Sequence, residues 1–173
     1  RAVRLLPAYC TLIWYTRRTP AETTCRKRED DLKMKNEKPL FLTDAQLKAE
    51  LDKCEYCSEK PCKEACPADC SPADFIMAVR RGAASDYKRS AAIIMGSNPL
   101  GGVCGAVCPD RHCMKACVHR TFDNAVNIPM VQATIIQKAK DLGVMPKFSA
   151  SAPVGKKVAV VGGGPAGYGA AGI

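Results

Sequence analysis

The sequence predicts a mainly α-helical fold built round two cysteine arms and closing on the first β-strand and helix of a Rossmann-like domain. Three observations carry that expectation. The first is the run Cys54, Cys57, Cys62 and Cys66 with Pro67 directly after it, a C-x2-C-x4-C-x3-C-P pattern. The second is an answering set downstream, Cys104, Cys108, Cys113 and Cys117, with Pro109 following Cys108. The third is a change of character near the end. There Lys157-Val158-Ala159-Val160-Val161, a buried-strand pattern, runs into Gly162-Gly163-Gly164-Pro165-Ala166-Gly167. Three thiolates closely spaced on one loop can wrap a compact inorganic core. A fourth, one turn later and followed by a chain-turning proline, points away from that core. In two-cluster ferredoxins this last cysteine ligates the other cluster. The spacing therefore points to two 4Fe–4S clusters whose arms exchange a ligand, close enough to pass electrons. On spacing alone, Cys104 fills the last place in the second set.

Eight of the 11 cysteines fall in these two groups. The odd count, the C-P punctuation and the lack of a convincing signal peptide argue against a secreted disulfide scaffold. A zinc ribbon wants two separated C-x2-C pairs, and the second group has none. The formal charge of +9 invites a nucleic-acid reading. A 4Fe–4S core of charge 2+ on four thiolates adds about two negative charges, however, so two clusters remove about four. The remaining basic residues are interspersed with acids. No nucleic-acid binding is expected, and the surface reads as solvated, with docking to an acidic or phosphate-bearing partner as its further use. The length of 173 residues suits one modest domain plus a fragment of another.

Residues 1–41 read as a poorly ordered or packing extension and charged linker. The chain starts at Arg1, as a trimmed or partial product would. Its apolar run from Leu5 to Tyr15 is broken by Pro7 and is too short to span a membrane. A cleaved targeting segment is the alternative. Cys10 and Cys25 lie there as ordinary thiols, and 26–38 is dense in mixed charge.

Residues 42–145 are expected to form the helical di-cluster domain. Thr43 with Gln46 makes a capping box, Leu42 against Leu47 staples the start, and Leu47 and Leu51 share the face that delivers the chain to Cys54. Ser71 caps a helix that opens on Pro72, with Asp74 in its first turn, Phe75, Ile76 and Val79 as its stripe, and Gly82 at its end. Cys70 precedes that cap as a bystander. Ser85 is expected to start the next helix, with Tyr87, Ala91, Ile94 and Met95 inward and Gly96 as its stop. Asn98-Pro99-Leu100-Gly101-Gly102 reads as a turn-rich approach to the second group. Its glycines would let backbone N–H groups near the sulfurs, a lever on reduction potential, and simple turn chemistry explains them equally well. His112 and His119 read as exposed loop residues rather than ligands. A longer helix from Ile128, capped by Asn127, lines up Val131, Ile135, Ala139 and Leu142, with Gly143 closing it.

Residues 146–156, with Pro146, Ser149, Ser151, Pro153 and Gly155, read as a linker. Residues 157–173 then carry the G-x-G-x-x-G of a strand-to-helix junction, where Gly162, Gly164, Pro165, Ala166 and Gly167 would let the backbone approach a pyrophosphate. One strand and one helix cannot enclose a dinucleotide, so this piece would serve only as part of a nucleotide domain.

The order of these features resembles one family. The run Cys54 to Cys66, the Asn98-Pro99-Leu100-Gly101 turn, the second cysteine run, the Asn127-Ile128 to Gln132 stretch and the glycine fingerprint together are similar to the N-terminal region of dihydropyrimidine dehydrogenase and its bacterial relatives. They also resemble the small subunit of NADPH-dependent glutamate synthase. The likeness runs from Leu42 to Ile173. It implies an α-helical ferredoxin-like domain holding two 4Fe–4S clusters, leading into an FAD domain that is truncated here and then an NADPH domain. Electrons would run from NAD(P)H to FAD and through the clusters to a distant reducing site. By that resemblance Cys54, Cys57, Cys62 and Cys117 hold one cluster. Cys66, Cys108 and Cys113 hold the other, with Gln132 as its fourth ligand and Cys104 as the alternative. Glutamate synthase small subunits tend to carry a glutamate where Gln132 stands, which favours the pyrimidine side. The gap between Cys108 and Cys113 departs from the animal dehydrogenase by one residue fewer.

The expected function is that of an electron-transfer module, cytoplasmic, not catalytic alone and not membrane-bound. It would work with the rest of a flavoprotein or a catalytic partner subunit, in an oligomer. A metal-stabilised docking module without redox activity is the competing class.

Overall fold

The computed structural model describes residues 40–109, 111–149, 152, 155 and 157–171. They carry helices α1 (Asp44–Asp52), α2 (Pro61–Glu64), α3 (Pro72–Val79), α4 (Ala84–Ser97), α5 (Gly101–Val107) and α6 (Cys113–Ala116). A 3-10 turn (Val118–Thr121), α7 (Ile128–Asp141) and α8 (Pro165–Ala171) complete them. The expected extension, with Cys10 and Cys25, lies outside the described residues apart from Leu40 and Phe41.

The start of α1 is as its sequence requires. Thr43 Oγ1 accepts from the Gln46 N–H, and the Gln46 side chain accepts from the Thr43 N–H at 2.9 Å. Leu47 and Leu51 are buried against α7. Two long-range bonds tie this helix down. The Leu42 N–H donates to Thr134 Oγ1 on α7 (2.9 Å), and the Asn127 N–H donates to Glu50 Oε2 (2.7 Å).

Helices α3 and α4 pack on each other and on α7. Phe75, Ile76 and Val79 are fully enclosed, as their spacing predicts. Ser71 occupies the cap position of α3, but its hydroxyl makes no capping bond and is the unpartnered buried side-chain atom among the described residues. Ser85 does not start α4. The cap is Ala83, and Asp86, at the third helical position, accepts from the Ala83 N–H at 3.2 Å. Asp86 is 2% exposed and pairs with Arg81 (3.3 Å) and Arg89 (3.2 Å). Burial opposes its ionisation, but the Ala83 N–H and the two guanidinium groups outweigh it and hold the carboxyl below its ordinary 3.8. A depressed native pKa contributes stability that is present above 3.8 and lost as pH falls below it. Asp86→Asn is therefore expected to lower Tm at neutral pH and to flatten the acid limb of a Tm-versus-pH curve. An unchanged acid limb would show that Asp86 carries no linkage.

Helix α4 runs through Gly96 to Ser97, and Met95 is only half-buried, so neither residue plays the expected part. Asn98 Oδ1 accepts from the Leu100 N–H (3.0 Å) and turns the chain, after which α5 leaves at 83° to α4. Gly101 and Gly102 begin α5 rather than forming a loop. Their reason is packing, because a Cβ at Gly101 would collide with Ile94 Cγ2 and one at Gly102 would meet Ile136 Cγ2 at 3.0 Å.

Helix α7 is the central strut, with Val131, Ile135 and Ala139 buried. Leu142 is 52% exposed, off the expected stripe. The chain turns at Gly143 (φ +66), where the Gly143 N–H donates to Lys140 O and the Val144 N–H to Ala139 O. This double bond pattern turns Val144 back onto the core in place of Leu142. Residues 157–161 pair with no other strand among the described residues, and Val158 and Val161 are 86% and 99% exposed. The apolar run reads as a strand sheltered by sheet neighbours; without that pairing its side chains face solvent. Among the described residues no single helix is long and apolar enough to cross a membrane.

Candidate metal centre

The two one-turn helices bearing cysteines, α2 and α6, pack against each other, which brings the two distant arms of the sequence together. Cys54 leaves the end of α1, Cys57 sits in the following loop, Cys62 lies in α2 and Cys117 caps α6. All four line one cavity. Its apolar walls come from Ile76 of α3, Val126 and Ile128.

The electrostatics tie these thiols to one another. Burial pushes the Cys54 thiol up, with Cys117 and Cys57 beside it adding to the rise. Cys62 is raised in the same way, first by burial and then by Cys54 and Cys117. Backbone N–H groups oppose the shift, from Tyr56 at Cys54 and from Ala73 and Lys63 at Cys62. Such a group of enclosed thiols is costly to ionise alone and favourable to ionise round a cationic core, with release of protons. No three of the described His, Cys, Asp or Glu side chains converge on a single-ion site. Four thiols lining one cavity are a donor set that fits an iron–sulfur core.

Cys66, Cys108 and Cys113 form a second group. Cys113 is 7% exposed, and burial pushes its thiol up to about 12, with Cys108, Cys66 and Cys62 beside it. Cys108 is raised by burial and then by Cys104 and Cys66, against the lowering effect of Arg111. Cys62 and Cys113 thus join the two groups. Cys104 lies one turn before Cys108 on α5 and next to it in charge. Gln132 sits where α7 meets the same helix, and its Nε2 donates to the Gly101 carbonyl at 2.6 Å. Both candidates for the fourth place therefore stand at α5.

Cys70 and His119, both placed in loops by the sequence, are buried. Cys70 is 3% exposed and part of the core, with its thiol raised to about 12 by burial and by Cys66 and Cys113 alongside. His119 is not an exposed loop residue. It is 9% exposed, lines the first cavity beside Cys117, and its Nδ1 lies 3.1 Å from Asn124 O. The backbone N–H groups that oppose the rise at these thiols belong to Tyr56, Lys63, Ala73 and Met114. No local pattern marks an ordinary backbone amide as a sulfur donor, so the sequence held no signal for these. His119 had one, standing two residues past a cysteine.

In the terminal segment Gly162 has φ +104, and Pro165 opens α8 with Ala166 and Gly167 in its first turn. A Cβ at Gly167 would collide with the Gly162 carbonyl and meet Val160 Cγ1 at 3.5 Å, so the third glycine permits the tight return of helix on turn.

The profile of the family described as dihydropyrimidine dehydrogenase domain II, 4Fe-4S cluster, matches residues 31–144. UacF of Escherichia coli is 37% identical over 130 residues, covering 74% of this chain and 20% of UacF. The NAD-dependent dihydropyrimidine dehydrogenase subunit PreT of the same organism is 32% identical over 130 residues, 75% of this chain and 30% of PreT. Its glutamate synthase [NADPH] small chain is 33% identical over 132 residues, 76% of this chain and 27% of the relative. The chain thus spans less than a third of the length of these relatives. With two cysteine arms folded onto one another, and a profile match across them, the chain belongs to the 4Fe-4S family of dihydropyrimidine dehydrogenase domain II and the glutamate synthase small chain.

Proposed function

We propose that this chain is the electron-transfer module of an NAD(P)H-dependent flavin and iron–sulfur oxidoreductase of the dihydropyrimidine dehydrogenase type. The observation that carries the reading is the cavity shared by Cys54, Cys57 and Cys62 of one arm and Cys117 of the other. These four would hold one 4Fe–4S cluster. Cys66, Cys108 and Cys113 would hold a second, with Gln132 or Cys104 completing it. When bound, such clusters carry single electrons. The chain's own part is to hold the thiolates, exclude water with Ile76, Val126 and Ile128, and aim backbone N–H groups at sulfur.

Gly162, Gly164, Pro165, Ala166 and Gly167 fit the turn that approaches a dinucleotide pyrophosphate, which is the support for FAD binding together with the rest of such a domain. The partners are then the remainder of the flavoprotein or a catalytic subunit, in an oligomer, and the reducing chemistry lies there. Thiolate ligands favour a reducing compartment, and the cytoplasm is the expected one. A glutamate synthase small-chain-like input module is the second reading, supported by the 33% identity to that protein. Gln132, where that subunit type tends to carry glutamate, favours the first.

Anaerobic reconstitution of the full chain tests the function. About eight irons and eight labile sulfides per chain, reducible at low potential, are expected. Stoichiometric zinc without sulfide would make the chain a docking module. Potentiometric EPR then decides the fourth ligand. Gln132→Cys is expected to shift one cluster's potential and leave the other nearly unchanged, and Cys104→Ser to shift neither. A shift only in Cys104→Ser would move the ligand place to Cys104.

A further inference from the structure

The loop bearing Cys57 is fastened by contacts that the cysteine spacing does not require. Tyr56 and Lys60 both have left-handed backbones, with φ +50 and +46. L-residues avoid this region because Cβ crowds the neighbouring carbonyl, and neither residue is glycine or asparagine. Both side chains meet on a single oxygen. The Tyr56 hydroxyl donates to Asp74 Oδ1 at 3.1 Å, and Lys60 Nζ donates to the same oxygen at 2.7 Å. Lys60 Nζ also lies 5.1 Å from the centroid of the Tyr56 ring. Asp74 belongs to the first turn of α3, next to Ala73, which lines the first cavity. The contacts therefore tie the loop bearing Cys57 to α3, whose Pro72, Ala73 and Ile76 line the cavity. Lys60, Cys57 and Cys62 line the same space.

We propose that Tyr56, Lys60 and Asp74 form a positioning latch, which holds the Cys57 loop closed over the first cysteine cavity and sets how fast the cluster there is lost to chelators. This rests on the reading that Cys54, Cys57, Cys62 and Cys117 hold one cluster. A strained loop stays in place only while its surroundings over-determine it. Releasing either end of the latch lets Tyr56 and Lys60 leave the left-handed region and opens Cys57 and its sulfur to solvent.

The test uses the full, anaerobically reconstituted chain, with iron release to a chelator followed by visible absorbance and by the EPR signals of the two clusters. Asp74→Ala and Lys60→Asn are each expected to speed the loss of one cluster about tenfold, with the other leaving at its usual rate. Asparagine tolerates the left-handed backbone, so Lys60→Asn removes the charge without adding strain. The double variant should be no faster than either single one, because both open the same latch. Asp74→Glu keeps the carboxylate and should remain within about twofold of the unaltered chain. Unchanged rates, equal acceleration of both clusters, or additive effects in the double variant would each overturn the latch alone. An unaltered chain that takes up no labile sulfide would overturn the cluster reading and the latch with it.

Discussion

Stripping iron and sulfide from the protein is expected to dissolve its helical core, not to leave an empty scaffold. Cys113 and Cys70, 7% and 3% exposed, are members of that core, and Cys54, Cys62, Cys66 and Cys117 pack against it. Helices α2 and α6 are four residues each, one turn apiece, and far below the length at which a helix holds itself together. Without a core to bind, the enclosed thiols stay protonated and lose the cation that gathered them. Ligand binding of this kind is folding free energy, because the unfolded chain offers no preformed site. A domain of this size has a net stability of about 5–15 kcal/mol, and loss of the proposed clusters is expected to remove most of it. Far-UV circular dichroism at 222 nm and a thermal scan, before and after chelation under oxidising conditions, measure the effect. An apoprotein that keeps both its helical signal and a cooperative transition would show that the apolar contacts suffice alone.

What the sequence revealed was whatever rests on neighbours along the chain. The Thr43–Gln46 box, the Leu47–Leu51 face and the turn at Gly143 all close within a few residues, so residue types three to five apart determine them. The cysteine arms were legible for the same reason, since each arm's spacing is local even though their meeting is not. The contacts that escaped are long-range. The Leu42 N–H finds Thr134 across 92 positions, and the Asn127 N–H finds Glu50 across 77. Nothing local marks a threonine as an acceptor for a helix start so far away.

The glycines show the limit most sharply. A glycine that turns the chain and one that admits another helix look alike in sequence, and Gly101 and Gly102 proved to be of the second kind. The same holds for charge. Nothing local marks Asp86 as buried, yet it accepts from the Ala83 N–H at the start of α4, with Arg81 and Arg89 beside its carboxylate. The latch on the Cys57 loop was equally invisible, because Tyr56 and Asp74 stand 18 positions apart and their meeting depends on the fold of the loop between them.

Gly105→Ala should separate α5 from α7 and disturb the second cysteine group selectively. A Cβ at Gly105 would stand 2.6 Å from Ala133 N, 2.9 Å from Pro129 O and 3.0 Å from Ala133 Cα. All three are backbone atoms of α7, so no side chain can rotate aside. The strain must move one helix, and α7 is pinned by Val131 and Ile135, both fully buried. Helix α5 therefore yields, taking with it Cys104, Cys108 and the Gly101 carbonyl that holds Gln132. Overpacking of this kind costs about 1–3 kcal/mol, and at roughly 4–8 °C per kcal/mol for a small domain it should be plain in a thermal scan. Two neighbouring substitutions calibrate it. At Gly102 the Cβ meets only Ile136 Cγ2 at 3.0 Å, a side chain that can turn, so Gly102→Ala should cost less than about 1 kcal/mol. At Gly96, inside α4, nothing lies within 4 Å, and Gly96→Ala should stabilise by about 0.5–1 kcal/mol through helix propensity. The expected order of Tm is Gly96→Ala, then Gly102→Ala, then Gly105→Ala, and only the last should alter the EPR signal of one cluster while sparing the other. Equal stability of the Gly105 and Gly96 variants would mean that the two helices tolerate a wider separation than their contact implies, and would detach the second cysteine group from the packing that positions it.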